Sequence, residues 1–154
     1  MVNVYHKFTI EANAAKVYQL LTTVPGIKKW WMKESRGEAG KLHGELEFGQ
    51  KESFYNKVKV SELEENKKVV WEVLESIGPT EDSKKWIGTR IEFDLEEKKL
   101  ERLGGKTATI VLFKHGEWPS GSENTKFFAE CNWHWAFFTS SLKDVAEGHD
   151  GKSM

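Results

Sequence analysis

The side chains in this chain best suited to chemistry are three histidines, one cysteine and one asparagine. His6 and His115 lie in alternating apolar stretches, each on the parity of the inward residues. On adjoining strands they would suit general acid–base or metal-ligand work; the competing reading is a hydrogen-bonded structural imidazole near a sheet end. His134 borders the apolar stripe of a helix and is placed to point a polar tip into whatever that stripe encloses, while His43 and His149 read as turn and tail. Cys131 is the single cysteine, so the chain forms no internal disulfide. Lying on the same stripe, it reads as an inert buried thiol. No H-x-H, H-E-x-x-H or C-x-x-C spacing occurs, so neither a metal nor any other cofactor is expected. Nor is there a G-x-S-x-G or a G-x-x-x-x-G-K-[ST] motif; Ser140 and Ser141 fall late in a helix, where polar neighbours or solvent suffice for them. Glu92, Asp94 and Glu96 share a strand face, as do Glu45 and Glu47, but parity puts both sets on the wet side.

The other feature is aromatic. Seven Trp and nine Phe accompany an ordinary hydrophobic content. Large rigid rings suit either a packed core or the walls of a ligand chamber, and both readings stand. By strand parity the walls are Phe48, Phe54, Val58, Trp71, Ile91, Phe93, Val111 and Phe113. The helix adds Phe128, Cys131, Trp135 and Phe138, and Trp31, Trp86 and Trp118 at loop edges would line the mouth. Asn56, His115 and His134 are the polar groups that would orient an occupant.

These residues need a scaffold, and the pattern supplies one. The segment from Ser122 to Glu147 is the one long helical candidate: Phe128, Cys131, Trp135, Phe138, Leu142 and Val145 recur at steps of three and four. Ser120 or Ser122 is its expected cap, with capping-box spacing from Ser120 to Glu123, and the segment after Glu147 reads as a frayed tail. Upstream, Val2 to Ile10 alternates as a strand. Asn13 caps a short helix over Ala14 to Leu21, Pro25-Gly26 is expected to break it, and Ile27 to Trp31 forms at most one more turn. Strands follow around Leu46 and Phe48, over Phe54 to Leu63, Lys68 to Glu75, Thr89 to Glu96 and Thr107 to Phe113, with a loop from Lys114 to Gly121. Strands joined by short turns pair antiparallel, and their apolar face needs the terminal helix as cover.

At 154 residues with no internal linker or repeat, residues 1–154 read as one α+β domain, large enough to bury roughly 70% of its unfolded surface. A net charge of -1 with interleaved signs gives no reason to expect nucleic acid or an anionic membrane as partner. No apolar run approaches the ~18 residues of a membrane span, and the N-terminus has no signal-like apolar region, so a cytoplasmic protein without membrane insertion is expected. Trp133 and Phe137 lie off the helix stripe, and Val70, Leu74, Ile110 and Leu112 fall on the outer sheet face. Exposed apolar groups of that kind suit a homodimer.

With these residues in this order, the chain resembles the START-like (SRPBCC) superfamily, and within it the domain related to the activator of Hsp90 ATPase. The resemblance rests on FTIEANAAKVYQLLTT, the Trp30-Trp31 pair, VVWEV, WIGTRIEFDL with GGKTATIVLFKHGEW, and WHWAFFTSSLKDVAEGHDGK, which together span nearly the whole chain. It implies a helix-grip fold: a curved antiparallel sheet of six or seven strands around a long C-terminal helix, with one or two short helices after the first strand. It also places the strands of His6 and His115 side by side. It supplies no catalytic set, and fold alone does not choose among ligand carriers, cyclase-like enzymes and co-chaperone domains. The leading expectation is binding of a small apolar or amphipathic molecule between sheet and helix. The alternatives are a cyclase- or hydrolase-type enzyme using His115 or His134, and a protein-binding module like the Hsp90 activator domain.

Overall fold

The computed structural model describes residues 2–154. Seven antiparallel strands form one sheet: β1 (Val2–Ile10), β2 (Ser35–Gly37), β3 (Glu45–Gln50), β4 (Phe54–Glu64), β5 (Lys68–Ile77), β6 (Arg90–Leu100) and β7 (Lys106–Trp118). Their order is β1-β7-β6-β5-β4-β3-β2, so β2 to β7 form a meander and β1 closes onto its last strand. The sheet curves around α3 (Lys126–Ala146), and α1 (Ala14–Thr22) and α2 (Val24–Trp30) follow β1. This is the helix-grip architecture the resemblance implied.

Side-chain caps set the helix starts. Asn13 accepts from the Lys16 amide at 2.8 Å, Thr23 from Gly26 at 3.1 Å and Thr125 from Phe128 at 3.2 Å. Two of these correct the sequence reading. The first helix does end before Pro25-Gly26, at Thr22, but the pair opens α2, sitting in its first turn, where a missing proline N–H costs nothing. The cap of α3 is Thr125, because Ser122 turns its hydroxyl back to the Pro119 carbonyl at 2.6 Å inside a 3-10 turn, Ser122–Asn124.

Three further corrections concern pairing. The segment from Lys114 to Trp118 is strand, not loop: it pairs with β1 on one side (Val4↔His115) and β6 on the other (Ile91↔His115, Arg90↔Gly116). β2 adds a short edge strand without apolar alternation, pairing Ser35 with Phe48. The chain after Glu147 is docked rather than frayed. Lys152 N–H donates to Ser141 Oγ at 2.7 Å, Met154 N–H to the Trp31 carbonyl at 2.9 Å, and Lys33 N–H to the Met154 carbonyl at 2.6 Å. Gly151 lies so close to the Lys29 carbonyl that a Cβ there would collide with it.

Two bulges reset which residues face inward. Between the pairs Lys57↔Glu75 and Val58↔Val73 the register skips Leu74, and between Val60↔Trp71 and Glu62↔Val70 it skips Ser61. Inward parity in β5 therefore passes from Val69, Trp71 and Val73 to Ser76. On the outer face, Val70 is fully buried rather than available to a partner. Its cross-strand neighbours are Glu62 and Glu92, and Lys68 bridges both carboxylates at 3.6 Å, so charged side chains flank it.

A candidate ligand-binding cleft

The space between sheet and α3 is filled with rings. Trp31 packs against Phe48 at 4.4 Å between centroids, against Trp71 at 5.7 Å and against Trp135 at 5.2 Å; Phe113 meets Trp135 at 4.6 Å and Phe93 at 5.2 Å. Trp31, Phe48, Val58, Trp71, Ile91, Phe93, Val111, Phe113, Trp135 and Phe138 are all buried in this one cluster. Of the two readings the sequence left open for these rings, core or chamber wall, they fit the first: rings from facing elements meet in one buried cluster. Trp118 is not at a mouth. It is fully buried at the end of β7, with Phe128 against it at 5.1 Å and His115 at 4.9 Å.

His115 sits beneath this cluster with both ring nitrogens engaged. The Trp135 indole N–H donates to Nδ1 at 3.0 Å, which leaves Nε2 as the protonated nitrogen, donating to Thr89 Oγ1 at 2.8 Å. Thr89 in turn donates to the Trp86 carbonyl. Burial disfavours the imidazolium and pushes the pKa down to about 3. The ring is a neutral, saturated structural group facing no cavity. His6 is a neighbour across the strand pair, packed on Phe113 at 6.0 Å, and its Nε2 has no partner among the described residues. The described residues hold no group of three or more His, Cys, Asp or Glu side chains able to bind a metal.

Open space occurs at one end of the helix. A cleft of about 620 Å3 lies between the ends of β4 and β5, the 3-10 turn Glu81–Trp86 and the first half of α3. Five residues named from sequence line it: Phe54, Asn56, Trp86, Cys131 and His134. Trp86 forms the inner wall, stacked on Trp135 at 6.2 Å and edge-on to His115 at 4.9 Å. Its indole N–H donates to Cys131 Sγ at 3.1 Å. Burial pushes the Cys131 thiol up to about 12, so it is a protonated, unreactive lining atom. His134 is exposed at the rim, beside Lys126 and Glu130.

Sequence reasoning missed Met32, Ser76, Pro79, Ser83, Phe127 and Met154, which also line the cleft. Ser76 needed the bulge and Met154 the docked tail; neither leaves a trace in periodicity. Asn56, anticipated as polar, is at the floor and 1% exposed. A larger cleft of about 820 Å3 lies at the opposite end of β4 and β5, but Glu64, Lys67, Lys68, Asp94, Glu96 and Glu97 line it. These charges are better kept in water than used to desolvate a small molecule. There, burial and the neighbouring Glu92 raise the Asp94 pKa.

Comparison with known proteins agrees with the architecture. The family described as activator of Hsp90 ATPase homolog 1-like protein matches residues 11–147. A solution structure of the Aha1 dimer from Colwellia psychrerythraea is 37% identical, with 98% of this chain and 100% of that one covered and a TM-score of 0.76. Proteins from Mesorhizobium loti (12% identity, 97% and 99% covered, TM-score 0.75) and Staphylococcus saprophyticus (14%, 99% and 98%, 0.71) share the fold. No curated protein matches the sequence. No helix among the described residues is long and apolar enough to cross a membrane. The chain therefore belongs to the activator of Hsp90 ATPase homolog 1-like family.

Proposed function

We propose that this protein binds a small apolar or amphipathic molecule in the cleft beside Trp86. What supports this reading is the contrast within the sheet–helix space: rings meet in a buried cluster at the centre, while Trp86, Phe54, Phe127, Met32 and Met154 reach a concave space of about 620 Å3 at one end, within the usual range for small-molecule sites of roughly 300–1,000 Å3. Apolar area brought out of water there contributes about 25 cal/mol per Å2. The two methionines are adaptable walls that fit more than one shape. His115 is buried away from the cleft and His134 stands at its exposed rim, so the reading put forward is sequestration by the apolar walls. Native mass spectrometry of freshly purified protein, followed by its denatured mass, tests it. An added small mass lost on denaturation is expected. A clean apo mass, together with no binding of an added naphthalene-type probe, would overturn it.

A second reading concerns self-association. Trp133 is 67% exposed and Phe137 40% exposed, one helical turn apart on the outer face of α3. The 37%-identical relative is described as a dimer. We infer that a second copy of this chain covers that face.

A further inference from the structure

Four buried polar atoms have no hydrogen-bond partner among the described residues: His6 Nε2, Trp71 Nε1, Trp118 Nε1 and Asn56 Oδ1. Only the asparagine among these four lines the cleft. Its cross-strand neighbours are Phe48 on β3 and Ser76 on β5, both buried. Phe48 has nothing to donate. Leaving a buried amide oxygen unpaired is costly, and sheet residues that carry such an atom into a cavity do so against the trend of protein interiors.

Apart from Ser76, the other polar side chains around the cleft are already occupied or lie at its rim. Cys131 Sγ accepts from Trp86, and Ser83 Oγ donates to the Thr80 carbonyl at 2.8 Å. Lys126, Glu130 and Asp82 are exposed. The deep end of an otherwise apolar site thus holds the Asn56 amide, whose buried oxygen has no partner among the described residues, with Ser76 as its cross-strand neighbour.

We propose that the cleft selects a ligand carrying a neutral hydrogen-bond donor, a hydroxyl or an N–H, which Asn56 Oδ1 accepts at the floor while the apolar body lies against Trp86, Phe54 and Phe127. This rests on the ligand-binding reading above and adds the class and the orientation. A carboxylate entering head-first would be stripped of water at the floor with no cation there to pair with, since Lys126 stays at the rim. An ammonium group would be stripped of water without a carboxylate to pair with, since the acidic groups stay at the rim. A small alcohol, phenol or N–H heterocycle meets neither obstacle.

The test compares 1-naphthol with 1-methoxynaphthalene, which keeps the ring and the oxygen, adds one methyl group and has no donor. Affinities are measured by calorimetry on the full chain, and shifts of the Trp86 indole N–H resonance report binding in the cleft. The wild-type protein is expected to prefer naphthol by about tenfold, the worth of one buried hydrogen bond. Asn56→Leu is expected to erase that preference while keeping affinity for the ether. Asn56→Ala serves the same purpose if leucine crowds the floor. Equal wild-type affinities, or a preference that survives both substitutions, would overturn the assignment of Asn56. Failure of both naphthalenes to bind would overturn the ligand-binding reading itself, and this inference with it.

Discussion

The Trp135 indole N–H donates to His115 Nδ1 across 3.0 Å, which fixes the imidazole in its Nε2–H tautomer in the middle of the protein. A helix residue and a strand residue are joined there by a hydrogen bond sealed from water.

Burial of that imidazole makes stability pH-dependent. In the unfolded chain His115 takes a proton near its ordinary value of 6.5, whereas the folded protein resists it down to about 3. Between those values the unfolded state binds more protons, so the contribution is full above pH 6.5 and is lost as pH falls toward 3. The slope approaches about 1.4 kcal/mol per pH unit. Chemical denaturation from pH 7 to 4 is expected to show this slope in wild type and a shallower one in His115→Gln. Nitrogen-15 spectra should show a neutral Nε2–H ring at pH 5. A charged ring there would contradict the geometry.

Two tryptophans separated by one residue should behave oppositely. Trp135 is 1% exposed, and its loss leaves both a cavity and an unpaired His115 Nδ1. Trp135→Ala is expected to cost about 3–5 kcal/mol or more in urea denaturation. Trp133→Ala, at a 67% exposed position, should stay within about 0.5 kcal/mol of wild-type monomer stability. Equal effects would mean that α3 is rotated from the orientation described.

If a second copy covers the outer face of α3, the double variant Trp133→Ser with Phe137→Ser should weaken the dimer about tenfold or more in sedimentation equilibrium. The cleft should still bind naphthol. A wild-type monomer at high micromolar concentration, or an unchanged dimer in the variant, would remove this surface from consideration.

Amide exchange checks the docked tail. The Lys152 and Met154 amides are expected to exchange slowly, because each is held by a partner across the fold. Ser141→Ala should release Lys152 while the α3 core stays protected. Immediate exchange of both amides in wild type would restore the picture of a frayed segment.

The sequence carried most of the scaffold and little of the cleft. Period-two alternation placed the strands, and the three-and-four stepping from Cys131 to Leu142 placed the buried face of α3, because burial on one side writes itself into composition. Pairing does not. The strand character of Lys114 to Trp118 depends on neighbours on both sides, against the local advice of Gly116 and Pro119. A single skipped residue, Leu74, moved Ser76 to the inner face. Parity could say that Trp31, Trp71 and Trp135 point the same way, but not that their rings touch. Whether inward aromatics enclose a space or fill it is decided by side-chain volume and backbone spacing, which one-dimensional pattern does not contain.

The ring cluster also has a photophysical consequence. Trp30, Trp31, Trp135 and Trp86 form an unbroken path of neighbouring indoles, with Trp71 branching from Trp31 and no step longer than 6.2 Å between centroids. At such separations excitation passes between neighbouring rings, so the core is expected to emit from a shared pool rather than from five independent indoles. Trp86 is the end of that path at the cleft. An occupant that quenches or shifts Trp86 would therefore dim the emission of the whole array, and the protein carries its own amplified optical reporter without any label.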